Sequence, residues 1–167
     1  MDRIQRYCFS LLLGSVVVVA LVWASPAPGQ DAGIDGTYRL LKRQIVGGPT
    51  LTPPAVMGLS TYSKGARNIN VLWHTPDGKL ASVSAAATYK LTATEYIETL
   101  MFNRLDDPSS GKPPAYSVGG PTTTQPVKRD GRKIQFTPPG TPTLVFDGDI
   151  YTATIEGVFV DHWEKIK

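Results

Sequence analysis

The segment Asn68-Ile69-Asn70-Val71-Leu72-Trp73-His74, closed by Thr75-Pro76-Asp77-Gly78, decides the fold class. Successive side chains of an extended chain point to opposite faces. Ile69, Val71 and Trp73 therefore share one side while Asn68, Asn70 and His74 share the other, which is the pattern of a half-buried strand. In the tetrapeptide that follows, proline presets an early turn position and glycine is free to take a positive φ, so the chain reverses there. Residues 80–91 lead back beside the first strand, and 95–102 follow after Thr92-Ala93-Thr94, which predicts a meander of antiparallel neighbours.

Outward from this hairpin the same short runs recur, and none is long and periodic enough to predict a helix. Upstream, 38–45 reads as a strand, with Leu41 and Ile45 on one side and Tyr38 and Leu40 partly on the other; 56–62 reads as a second after the Pro53-Pro54 turn. Downstream, 104–126 is crowded with Asp, Ser, Pro and Gly and has little to bury, which predicts a long loop, or two loops around one irregular strand. Strands resume at 133–136, 143–147, 150–156 and 158–163, separated by Thr137-Pro138-Pro139-Gly140, Asp147-Gly148-Asp149 and Gly157. About eight to ten strands in one small domain favour a closed barrel or a sandwich, because closure removes exposed edges.

The N-terminal end has a different character. Arg3 and Arg6 precede an almost wholly apolar run from Phe9 to Trp23, the layout of a secretory signal, with cleavage expected after Ala24 and an alternative after Gly29. The competing reading is an uncleaved anchor, for which the run is short against the roughly 20 residues a spanning helix needs. Residues 1–24 are thus assigned to a signal peptide, 25–35 to a flexible leader and 36–167 to the folded domain, exported to the periplasm or secreted; contact with a membrane is confined to the signal during export. Cys8, the one cysteine, lies in the signal, so the mature chain holds together without disulfides. About 140 residues suffice for a single core.

The chain has 17 Lys and Arg against 14 Asp and Glu, and removing Asp2, Arg3 and Arg6 leaves 15 against 13. So small and dispersed an excess gives no footprint for nucleic acid. Lys128, Arg129, Arg132 and Lys133 flank the turn Asp130-Gly131 and read as a solvated hairpin tip.

Several phrases resemble a group of bacterial exported lipocalin-like proteins of the calycin type. They are Gly36-Thr37-Tyr38, Leu51-Thr52-Pro53-Pro54, Thr61-Tyr62-Ser63-Lys64-Gly65, the run from Thr88 to Tyr96, and the closing run from Gly157 to Lys165. The resemblance covers nearly the whole mature chain. It implies an all-β domain, a single antiparallel up-and-down lipocalin-like β-barrel of about 8–10 strands with one mouth open to solvent, and it implies no particular activity. The sequence departs from the lipocalins in having Tyr38 where they place Trp, and in offering only Lys165 or Lys167 where they pack an arginine over that ring; Trp163 is a further source of aromatic bulk.

No catalytic constellation stands out. His74 and His162 belong to no ligand-spaced set, so no metal is expected; Gly-x-Ser-x-Gly is absent, and the glycines cradle no phosphate, so no cofactor is expected. Glu95 and Glu98 are three apart on one strand and point to opposite faces, though either alone inside the barrel would be a candidate acid. Tyr62, Trp73, Tyr89 and Tyr96 come from four successive strands and, pointing inward, would line a ligand site; the alternative is that they fill the core. The leading expectation is a non-enzymatic exported protein that binds a small, largely apolar ligand in the barrel mouth. The alternatives are a cofactor-free isomerase or cyclase on the same scaffold, and an envelope interaction module docking through 104–126.

Overall fold

The computed structural model describes residues 33–167, so the expected signal peptide, both expected cleavage positions and Cys8 lie outside the described residues. The described chain is all-β. Its strands are β1 (Gly36–Ile45), β2 (Thr50–Leu51), β3 (Val56–Ser63), β4 (Ala66–His74), β5 (Leu80–Leu91), β6 (Glu95–Asp106), β7 (Ala115–Val118), β8 (Thr122–Pro126), β9 (Lys128–Asp130), β10 (Lys133–Phe136), β11 (Thr143–Asp147), β12 (Ile150–Ile155) and β13 (Phe159–Lys165). They form one antiparallel sheet in the order β7-β6-β5-β4-β3-β1-β13-β12-β11-β10-β9, with β2 added to β1 and β8 to β6. The expected meander is present, and the first and last long strands are partners.

Thirteen strands replace the eight to ten expected, chiefly because 104–126 is not one loop. β6 runs on to Asp106, a single 3-10 turn capped by the Asp107 side chain follows, and β7 and β8 then pair with different halves of β6. The backbone of such a polar stretch still needs partners, and a strand edge supplies them without demanding apolar side chains. Only Val127 separates β8, which pairs with β6, from β9, which pairs with β10, and its N–H donates to the Thr94 carbonyl at 2.8 Å.

Two irregularities set which residues face inward. Between Leu40 and Lys42 of β1 the register against β13 slips by one residue, so Tyr38 and Leu40 are buried, Leu41 is exposed, and Arg43 turns inward. Leu41 does lie opposite Tyr38 and Leu40, but the slip separates it from Ile45, with which it was expected to share a side. A second slip opposite Ala86 and Ala87 keeps Tyr96 and Glu98 inside and leaves Met101 and Phe102 exposed. The fold also reaches further back than Gly36: Ile34 is buried and its carbonyl accepts from the Tyr38 hydroxyl, while Tyr89 donates to Asp35.

The core is largely aromatic. Tyr96 of β6 stacks on Phe136 of β10 at 4.1 Å, and Tyr62 of β3 meets Phe146 of β11 edge-on at 5.4 Å, so strands far apart in the sheet order share one interior. Tyr38 meets Tyr151 edge-on, and Tyr151 stacks on Trp163 at 5.2 Å. Each such pair adds about 0.5–1.5 kcal/mol beyond the area it buries. Gly58 is required beneath Trp163, since a Cβ there would lie 2.8 Å from the indole edge and 3.1 Å from the Asn70 carbonyl.

Candidate functional site

Beside the packed rings the interior holds a cavity of about 580 Å³. Ile69, Val71, Val83 and Leu100 give it apolar walls, and Ala85 and Ala153 leave room where a ring would fill it. Exposed Pro121, Pro139 and Gly140 bring it to the surface. This volume lies within the range of small-molecule sites.

Two buried ion pairs stand in the wall. Arg43, brought inside by the β1 irregularity, donates from Nε and Nη2 to the two oxygens of Asp161 at 2.7 and 2.8 Å. Its guanidinium lies 4.1 Å from the Phe159 ring centre and 4.9 Å from that of Trp73, so the cation is bracketed by aromatic faces. Burial pushes the Asp161 carboxyl above the ordinary carboxylate range, with Arg43 pulling the other way.

In the second pair Arg67 Nη1 donates to Glu98 Oε2 at 2.8 Å, and the Tyr96 hydroxyl donates to the same oxygen. Burial alone would lower the Arg67 pKa, but Tyr62 and Glu98 beside it hold it above its usual value. The hydroxyls of Tyr62, Tyr96 and Tyr151 are all pushed up by burial. Arg67 Nε and Trp163 Nε1 are buried and have no hydrogen-bond partner among the described residues.

Of the four aromatic residues expected at a ligand site, Tyr62 and Trp73 line the cavity. Tyr89 and Tyr96 instead stack on each other at 5.9 Å within the ring array, away from the cavity lining, Tyr96 fully buried and Tyr89 partly so. Glu95 is exposed, while Glu98 is buried in the cavity wall, so the two carboxylates do part to opposite faces. His74 is exposed at its turn. His162 Nε2 is 2.6 Å from the Gln44 amide oxygen, and burial and Lys42 lower its pKa. Lys128, Arg129, Arg132 and Lys133 are exposed around the β9–β10 hairpin.

Sequence reasoning missed Arg43, Arg67 and Asp161. Two of these carried a signal: Arg67 is in step with Ile69, Val71 and Trp73, and Asp161 is in step with Trp163. Arg43 carried an ambiguous one: it is in step with Leu41 and Ile45 by count, and the slip after Leu40 leaves Leu41 outside while Arg43 turns in. Among the described residues no cluster of His, Cys, Asp and Glu is placed to hold a metal ion, and no helix is long and apolar enough to cross a membrane. Compared with known proteins, the chain matches no family model, no curated protein and no solved structure.

Proposed function

We propose that this is an exported lipocalin-like protein whose sheet curls into a barrel around a small, largely apolar ligand. The cavity carries the reading: about 580 Å³ of apolar-walled space, open at one side, in a core otherwise densely filled with rings. Curling into a barrel is supported by the passage from β8 to β9 across the single residue Val127, which links partners at the two ends of the sheet. The lipocalin likeness is supported by Lys165 Nζ, 5.8 Å from the Tyr38 ring centre, in the role of the missing arginine.

The test is native mass spectrometry of the protein recovered from its own cells. A small molecule is expected to co-purify, and Ala85→Phe, which fills the cavity from β5, is expected to lose it while keeping the near-ultraviolet circular dichroism of the ring array. An empty protein in repeated preparations, or a molecule retained equally by the Ala85→Phe variant, would remove the binding reading.

One observation favours a second reading, a cofactor-free isomerase or cyclase: Glu98 is a buried carboxylate in the cavity wall. Its charge is matched by Arg67 and its oxygen is already held by Tyr96, which is the arrangement of a wall ion pair rather than of a free acid. Ligand binding is therefore the better supported of the two.

A further inference from the structure

Resting on the binding function proposed above, we infer that Asn103 sets the specificity of the cavity, and that the ligand is an uncharged molecule, mostly hydrocarbon, whose one polar group is a hydroxyl.

Asn103 lies on β6 opposite Ala85 of β5 and Ser117 of β7. Leu105, two residues on, pairs with Val83, and Asn103, Ala85, Leu105 and Val83 all line the cavity, so the amide stands on the inner face among apolar neighbours. The residue is partly exposed. Other polar side chains of β6 are engaged, Thr99 with Thr122 and Arg104 with Asp106, whereas the Asn103 amide makes no hydrogen bond among the described residues. A primary amide carries an acceptor oxygen and two N–H donors, and here all of them are open to whatever occupies the space.

The rest of the wall gives a ligand little else that is polar to hold. Arg43, Arg67, Glu98 and Asp161 are only 3–7% exposed, and they neutralise one another in two pairs. A charged head brought from water into this space needs a counter-charge, and neither pair has one to spare. Tyr62, Tyr151 and Trp163 are buried, at 1–2% exposure, and the Thr123 and Thr141 hydroxyls already donate to the Glu98 and Pro138 carbonyls, at 3.4 and 2.9 Å. Water serves the Asn103 amide while the cavity is open; a ligand that fills the space displaces that water and must replace its hydrogen bonds. A hydrocarbon leaves the amide unpaired, and a ketone reaches only its N–H groups. A hydroxyl donates to the amide oxygen and accepts from an N–H, so it answers both.

Three probes of similar size separate the possibilities: 1-octanol has the hydroxyl, nonane lacks it, and octanoate adds a charge. Retention of the two volatile probes by protein made from the full chain is measured by headspace gas chromatography, and octanoate binding by isothermal titration calorimetry. The expected result is a 1-octanol affinity at least about tenfold above those of nonane and octanoate. Asn103→Leu, which keeps the size of the side chain and removes the amide, is expected to lower the octanol-to-nonane ratio by at least about threefold while nonane is held no less tightly. Asn103→Ala is expected to lower the ratio in the same way, and it decides alone if the leucine variant does not fold. Thr123→Val, which removes a neighbouring wall hydroxyl, is expected to leave the ratio unchanged. Octanoate or nonane binding as tightly as 1-octanol, an unchanged ratio in the Asn103 variants, or a ratio lost only with Thr123→Val would overturn the inference while leaving the cavity a binding site. If none of the three probes is retained, the binding function itself falls.

Discussion

Arg43 and Asp161 show how much one buried pair can decide at the scale of single residues. Their side chains are only 6% and 4% exposed, and both polar contacts are made within the pair. Taking the carboxylate away leaves a guanidinium between Phe159 and Trp73 with no counter-charge. Asp161→Ala is therefore expected to cost about 3–5 kcal/mol, read as a lower midpoint in urea unfolding. The double variant Arg43→Met with Asp161→Leu removes both charges and is expected to recover most of that loss, since apolar replacements of similar volume are close to neutral. If the single and double variants are equally destabilised, the pair's geometry rather than its charge is what matters. The contrast with Arg39 and Glu164, paired at 2.8 Å but with side chains 62% and 42% exposed, is instructive. An exposed pair contributes about 0–1 kcal/mol, so Glu164→Ala should leave the midpoint nearly unchanged.

Among the elements, β5 and β7 stand at opposite extremes. β5 is twelve residues long and is paired on both sides, by β4 and β6, along most of its length. β7 has four residues, all exposed, and pairs only with the far half of β6. Its edge is guarded by its brevity, by Pro113-Pro114 before it and by Gly119-Gly120-Pro121 after it, which is how an exposed edge avoids further pairing. Amide hydrogen exchange is expected to be about 100-fold faster or more in β7 than in the middle of β5. Equal protection would mean that β7 is covered by something beyond its pairing with β6.

Viewed as a whole, the molecule is organised around tyrosines that resist ionisation. Burial raises the pKa of Tyr38 to about 12, and the hydroxyls of Tyr62, Tyr89, Tyr96 and Tyr151 are pushed up in the same direction. A group whose pKa is higher folded than unfolded favours the folded state fully below its unfolded pKa, here about 10, and that advantage is lost as the pH climbs towards the folded value. The protein is therefore expected to hold its alkaline stability to about pH 10 and to lose it steadily above that. In a spectrophotometric titration the tyrosinate absorbance of these five residues should rise together with loss of near-ultraviolet dichroism. Smooth ionisation of all five with the fold intact would show that the ring array admits water.

Much of this was legible in the chain itself. Period-two alternation marked β4 and sent Glu95 and Glu98 to opposite faces, because a strand's geometry is local and repeats every second residue, while leaving open which face was the inner one. Glycine and proline marked the turns for the same reason. What the tertiary structure alone decided begins where that count is interrupted: the slip at Leu41 put Arg43 inside, and no local preference announces a slip that exists only against a partner strand. Likewise β7 and β8 are strands because β6 offers them an edge, not because their side chains ask to be buried. The cavity belongs to this second class as well. Whether inward aromatics fill a space or surround one depends on which strands face each other across it, and that is a property of the whole set of contacts rather than of any segment.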